Sequence, residues 1–509
     1  MALLLAQLGW LVNVYDARQR TGDAWDAPSA AHAQNVVLGR RAHAALQSAD
    51  ALEQVEQCSV RLLGQIDVRQ GGFDTMVRWP FKALSISEPD LAGALIRLGQ
   101  TRHPQQIRYH FGHRCTAVDF SSHGANFLHE RSSPADHIAS SAVFIKKSPP
   151  ADLLIGADGP RSAMRAAMQT QTPMFGFSQV FSAREVHKSL LVVSEPAAES
   201  AETSTATWQP RWRTGGRLQL TQALYRLDCR LDGQPITCQL LPNQDGSFAM
   251  SVRGQGLVAC STVADCQRLF ATAFPQVVEA LGMDEGTYQA FVSAPLCSEP
   301  LISCSRFHHS SAVLLGSAAH ATFPDMHVSA SAGLEDCVSL AEALEEHGAG
   351  SPAVRRAAQA LTAARRPPAL AAARLAAYAA TPRSVFAQAL SGLRFHVLLA
   401  CSSSLSSVGL LPWELKLLSS DQDQTQLQSW RMQDTLLAML ILLSAVAAIT
   451  LMTAELGTKV AGNSALAERL GALIACAKSM AGSLPKVCAA ILAACTEGQR
   501  AFTMQLQKG

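Results

Sequence analysis

The chain predicts an α/β fold with an added antiparallel sheet and a C-terminal membrane-spanning helix, and three observations carry that prediction. Two apolar runs, at Asp152–Gly156 and Ala312–Leu315, each end at a glycine-containing loop that leads into a helical pattern. Between about Phe175 and Ala294 the pattern turns to alternating runs such as Arg217–Leu220 and Ser247–Val252, parted by Asp232-Gly233 and Asp245-Gly246, as in antiparallel hairpins. Finally, Thr435–Ala454 carries no charge; as a helix it would be about 30 Å long, the thickness of a bilayer core.

Composition sets the bounds. At 509 residues the chain is long enough for two or more domains with their own cores. Charged residues are 16% and hydrophobic residues 48%, which already favours a membrane segment over an ordinary soluble composition. A net charge of +2 argues against a dedicated nucleic-acid binder. The 13 cysteines, odd in number and without a CxxC pair, give neither a disulfide framework nor zinc-ligand spacing, so no metal is expected and a reducing surrounding is.

The N-terminus parses as a helix from Met1 to Leu8 stopped by Gly9, then a strand from Trp10 to Tyr15 tipped by Asp16. It has no basic n-region or cleavage site, which argues against a signal peptide. In a Rossmann unit an acid at the tip of the second strand bonds the adenosine ribose, and Asp16 fits that role. The first strand and its GxGxxG turn would precede this helix. Either they lie upstream of Met1 or the diphosphate loop has been lost; the first is favoured, because a sheet without its central strand exposes apolar surface and unpaired backbone.

Farther on, a helix is expected from about Ala42 to Gln57, and another opens after Ser85–Leu91 with a Ser cap, acids and Pro89 in its first turn. Asp158-Gly159 follows a buried strand, and Ser162 is placed to cap a helix carrying Arg165. The segment Ala312–Glu342 reads as strand, polar loop with His320 and Pro324, then a helix entered through Gly333 and opened by Glu335 and Asp336. A helix N-terminus there can hold an anionic or polar cofactor through main-chain N–H groups; a plain strand–loop–helix connection is the competing reading. His320 reads as a packed loop histidine rather than a base, and no catalytic triad is visible.

These segments, in this order, resemble the FAD-dependent aromatic hydroxylases, and among them the kynurenine 3-monooxygenase family. That family's Gly-Asp-Ala-Ala-His-Ala, Pro and Ala-Gly-Phe-Glu-Asp-Cys are matched by Gly316, Ala318, Ala319, His320, Ala321, Pro324, Ala332, Gly333, Glu335, Asp336 and Cys337. Asp158-Gly159 with Arg161 resembles its DG motif, and Asp16-Ala17-Arg18 its acid, Ala, Arg pattern. Three departures stand out: Ser317 replaces the Asp that binds the ribitol, Glu88 replaces an Arg that contacts FAD, and His327 and Ser329 replace loop glycines.

The resemblance implies a Rossmann-like FAD-binding domain and an antiparallel-sheet substrate domain, with FAD and NADPH as cofactors and a kynurenine-like aromatic substrate. It implies cofactor contacts at Asp16, Arg18, Arg41, Cys115, Asp158, Gly159, Arg161, Gly316, Ser317, Pro324, Ala330, Ser331 and Gly333, and substrate contacts at Arg61 and Tyr378. No side chain is assigned as catalytic, because the difficult step belongs to the flavin. The expected domains are 1–174 and 295–350 for FAD, 175–294 for the substrate sheet, 351–430 for an Ala/Arg-rich helical region, 435–454 for the span and 455–509 for a helical tail.

Between Glu346 and Glu414 the only charged residues are basic, among them Arg355, Arg356, Arg365, Arg366 and Arg374; a solvated helix face is the ordinary reading, and contact with anionic lipid is the alternative weighed beside it. The family's layout adds a C-terminal anchor in the mitochondrial outer membrane, with the catalytic domain facing the cytosol. Another hydroxylase or epoxidase of the same fold, or a membrane-anchored relative that has lost activity, are the alternatives that the departures favour.

Overall fold

The structure is a computed structural model and describes residues 1–21, 24–25, 34–68, 75–130, 143–181, 186–193, 213–214, 217–218, 222–323, 327–348, 350–380 and Leu398. The chain divides into two compact units, Met1–Pro382 with Glu414–Leu427, and Arg383–Trp413 with Gln428–Gly509. Apart from Leu398, the described residues belong to the first. The expected span 435–454 and tail lie outside them, as does Pro324. Among the described residues no helix is long and apolar enough to cross a membrane.

The α/β part holds two small sheets, each with one parallel strand pair. The helix Ala2–Gln7 ends where Gly9 takes φ +85°, a left-handed value that glycine adopts without strain, and the strand Val12–Tyr15 follows. That strand pairs in parallel with Ile107–His110, and Leu154–Gly156 pairs in parallel with Ala312–Leu314. Leu5, Val313, Leu315, Leu340, Leu344, Val354 and Leu361 form one buried cluster, so the first helix and the two last helices, Ser329–His347 and Ser351–Ala380, share a core with the second sheet.

The antiparallel sheet is larger than its sequence signal. In spatial order it runs Cys297–Ser298, Val186–Val193, Ser247–Arg253, Gln234–Pro242, Leu224–Leu231, Val60–Val68, Thr75–Ser87 and Asn35–Leu38. Only Leu224–Leu231 beside Val60–Val68 is parallel. The sheet therefore takes strands from before residue 174, outside the 175–294 stretch that the alternation marks. Asp232 and Gly233, at φ +49° and +75°, make the tight turn between two of its strands, as a primed hairpin turn requires.

Alternation gives the sheet two different faces. Leu190, Tyr225, Leu227, Ile236, Leu240, Met250 and Val252 face the helices Val263–Ala273, Pro275–Leu281 and Glu285–Ser293, where Phe270, Phe274 and Phe291 are fully buried. Each such phenylalanine contributes about 2–3 kcal/mol of transfer free energy. The intervening positions, among them His187, Ser189, Gln239, Ser251 and Arg253, belong to the opposite face, and most are buried as well. Buried polar groups on such a face are costly unless hydrogen-bonded, as His187 is to Gln34 at 2.8 Å.

Two local expectations are corrected. The helix expected over 42–57 is two, Arg40–Ser48 and Leu52–Glu56, broken where Asp50 turns left-handed at φ +51°. The helix after the Gly316 loop starts at Ser329, so Gly333, Glu335 and Asp336 lie inside it rather than at its opening.

Candidate functional site

The two glycine loops meet at one place. Asp158 Oδ2 accepts from the Ala163 and Met164 N–H groups at 2.7 and 3.3 Å, and Ser162 Oγ accepts from Arg165 N at 2.9 Å, so both side chains cap the helix Ala163–Gln171. From that helix the buried Arg165 donates to the Ala318 carbonyl at 2.8 Å and to the Pro160 carbonyl at 2.5 Å. Arg165 thereby staples the Asp158-Gly159 loop to the Gly316 loop. Cys115 stands near this junction: burial, and next the Asp158 carboxylate, push its thiol up to about 11.

Gly316 takes φ +55° and approaches the second helix closely. A Cβ on Gly316 would come within 3.5 Å of the Gly333 Cα, and one on Gly333 within 3.3 Å of the Gly316 Cα. Gly316 favours glycine through its left-handed φ, and a side chain at Gly333 would have to push the loop back by a few tenths of an ångström. Ser317 is half-buried in the short 3-10 turn Gly316–Ala318. Ala330 and Ser331 sit in the first turn of Ser329–His347, where main-chain N–H groups lack helical partners. The Ser331 hydroxyl is buried and has no hydrogen-bond partner among the described residues.

Behind this loop runs a buried charge network that the sequence reading missed. Asp336, fully buried, accepts from Gly316 N at 2.9 Å, His320 Nε2 at 2.7 Å and Arg365 Nε at 2.7 Å. Arg365 also donates to Glu335 at 2.8 Å, and Glu335 pairs with the buried Arg41. Burial alone would push the Asp336 carboxyl up, yet His320 and Arg365 outweigh it and hold it below its usual range. His320 is buried within this network. Arg365 belongs to this network rather than to a solvated or lipid-facing surface, whereas Arg355, Arg356 and Arg366 are exposed. Spacing on the last helix would have given no hint of which arginine turns inward.

Asp16 lies at the tip of its strand but is closed by its neighbour. Arg18 donates Nη2 to Oδ2 at 2.7 Å and Nε to Oδ1 at 3.2 Å, with its own N–H at 2.9 Å from Oδ1. Glu88 stands at the first position of the helix Glu88–Arg102, capped by Ser87, and is exposed within electrostatic reach of Glu299 and Arg18. Arg161 is exposed and lies within electrostatic reach of Glu299.

Arg61 is exposed on Val60–Val68, with Leu84 as its cross-strand partner, and Tyr378 is in the last helix with its side chain outside the described residues. The polar face of the large sheet forms a small cleft lined by Gln34, Asn35, Gln239, Leu241, Ala249, Ser251, Arg253 and His327, and Arg61 does not line it. Among the described residues no cluster of side chains is suited to a metal ion.

No family model matches the chain. It is 28% identical over 365 residues to a kynurenine 3-monooxygenase of Xanthomonas axonopodis pv. citri (strain 306), covering 68% of this chain and 69% of that one. It is 26% identical over 362 residues to the kynurenine 3-monooxygenase of Stenotrophomonas maltophilia (strain K279a), with the same coverage. Among solved structures, 2-methyl-3-hydroxypyridine-5-carboxylic acid oxygenase superposes with a TM-score of 0.55 at 16% identity, over 74% of this chain and 87% of that one. The p-nitrophenol 4-monooxygenase of Pseudomonas putida DLL-E4 does so at 0.54 and 16%, over 83% and 95%. The chain has the mixed α/β fold of these oxygenases, and the resemblance drawn from its motifs is borne out by its relatives.

Proposed function

We propose that the chain is an FAD-dependent, NAD(P)H-using aromatic monooxygenase whose substrate is L-kynurenine, hydroxylated to 3-hydroxykynurenine. The observation that carries the reading is the pairing of Gly316 with Gly333, which brings a left-handed loop against a helix start where a buried Ser331 hydroxyl has no partner among the described residues. An orphaned buried hydroxyl beside unsatisfied helix N–H groups fits a polar cofactor edge, so these residues suit FAD. Bound there, FAD would supply the activation of oxygen that side chains cannot.

The protein's own contributions are positional. Ala330 and Ser331 would hold the cofactor at the helix start, with Ser317 in the place of an acid. Asp158, Gly159 and Arg165 keep the facing loop in register, and Cys115 and Arg161 border it. Asp16 can accept ribose hydroxyls only by exchanging them for Arg18, a surface pair worth at most about 1 kcal/mol. Arg41 acts from behind, through Glu335. The polar sheet face would close over the substrate and keep water out.

The uncharged run Thr435–Ala454 supports a membrane anchor after this catalytic unit. The curated relatives are bacterial, so they lend no support to the mitochondrial location that the resemblance implies. The test uses the full chain purified in detergent. An oxidised-flavin visible band, and NADPH consumption dependent on L-kynurenine with a product one oxygen atom heavier, are expected. A folded, colourless protein that takes up no added FAD overturns the enzyme reading.

A further inference from the structure

The cleft on the polar sheet face has one wall that the sheet does not supply. Its floor is sheet: Gln239 pairs with Ser251 and Leu241 with Ala249 across two neighbouring strands, and Asn35 lies on the strand at the far edge. This floor is held in place. Asn35 donates its amide nitrogen to Ser85 Oγ at 2.9 Å and to Asn243 Oδ1 at 2.7 Å, and Gln34 is hydrogen-bonded to His187 at 2.8 Å. His327 is the lining residue that comes from the other side, on the loop before the helix Ser329–His347.

That histidine sits there at a cost. Its backbone is at φ +49°, a left-handed value that few residues other than glycine adopt, and its Nε2 is closed off from solvent with no hydrogen-bond partner among the described residues. Glycine would remove both costs, and the family that the chain resembles has a loop glycine at this position. A strained residue on the wall of a cleft points to a role in the cleft rather than in the fold. Charge does not supply that role: burial first, then Arg253 and Arg226, hold the ring down to about 4, so it is neutral at pH 7. The residue as a whole is half-buried while Nε2 is closed off, so a ligand arriving from solvent meets the bulk of the side chain and not that nitrogen.

We infer that His327 is the specificity-determining residue of this cleft: its imidazole stops an aromatic ligand that lies along the polar sheet face and limits it to one ring. The ligand class rests on the aromatic-oxygenase reading above; the size limit rests on the cleft alone. The floor is a hydrogen-bonded sheet that cannot yield to an added ring, so room has to come from the loop side. Removing the side chain there adds the volume of an imidazole to a small cleft. A chain with glycine at this position is expected to admit ligands that this one refuses.

The experiment is calorimetric titration of the full chain in detergent with benzamide and with 2-naphthamide, which share a neutral head group and differ by one ring, while the visible spectrum of the same sample records flavin. His327→Gly, which suits the left-handed backbone, is expected to raise the affinity for 2-naphthamide about tenfold or more relative to that for benzamide. His327→Asn, shorter than His and also tolerant of that backbone, should fall between glycine and the wild type. Imidazole at millimolar concentration should abolish the gain in the glycine variant by filling the vacated space, and leave the wild type unchanged. An unchanged ratio of the two amides in the glycine variant, no binding of either amide, or a gain that imidazole does not touch overturns the assignment. If flavin is present and the ratio does not move, this inference fails and the oxygenase reading stands; if the ratio moves and no flavin is taken up, the reverse holds.

Discussion

Removing the Asp336 carboxylate should cost the fold more than any other single change at the site. Asp336 is the common acceptor for Gly316 N, His320 Nε2 and Arg365 Nε, at 2.9, 2.7 and 2.7 Å, and no part of it reaches solvent. In Asp336→Ala, Arg365 keeps its Glu335 contact at 2.8 Å and its bond to the Ala332 carbonyl at 3.2 Å, while the Gly316 N–H and the His320 ring lose their Asp336 partner. Breaking a buried ion pair by deleting one partner costs about 3–5 kcal/mol, and the Glu335 contact puts the expectation at the lower end, about 3 kcal/mol. Urea unfolding of wild type and variant at pH 7, compared at equal denaturant slope, measures it. Because this carboxyl is held below its unfolded value, its contribution is complete above that value, about 3.9, and is lost as pH falls through the folded one. The gap between wild type and Asp336→Asn should accordingly narrow below about pH 4. A loss under about 1 kcal/mol for Asp336→Ala would refute the argument that this network holds the loop.

Three further outcomes follow from the same geometry. Gly316→Ala places a Cβ at φ +55° against Gly333, and should lower stability by about 1–2 kcal/mol and flavin retention with it, read by unfolding and by the visible band. Lys188, buried and donating to the Phe291 and Val292 carbonyls at 3.1 and 2.9 Å near the end of a helix, should cost about 1–3 kcal/mol when changed to Met, which fills the space without the donor. Arg18→Ala should leave stability within about 0.5 kcal/mol of wild type while tightening FAD binding by freeing Asp16; weaker binding would show that Arg18 holds the cofactor itself.

By itself the sequence determined the punctuation of the fold. Gly9 ends the first helix, Asp232-Gly233 makes a hairpin turn, and Ser87 and Ser162 cap their helices where those residues predict. Each depends on a residue and its neighbours three or four positions away, so the signal is local and survives in one sequence. The motif order around Asp16, Asp158 and Gly316 was legible for the same reason.

Tertiary structure decided the rest. Nothing along the chain marks Arg365 as the partner of Asp336. The strand at 60–68 joins the sheet through Leu224–Leu231, far away in sequence, and carries 75–87 and then 35–38 with it, and Arg253 and His327 line one cleft only because that sheet lies beside the loop. Such contacts are set by packing and by pairing of buried charge over long separations, which leave no periodic trace in the residues themselves.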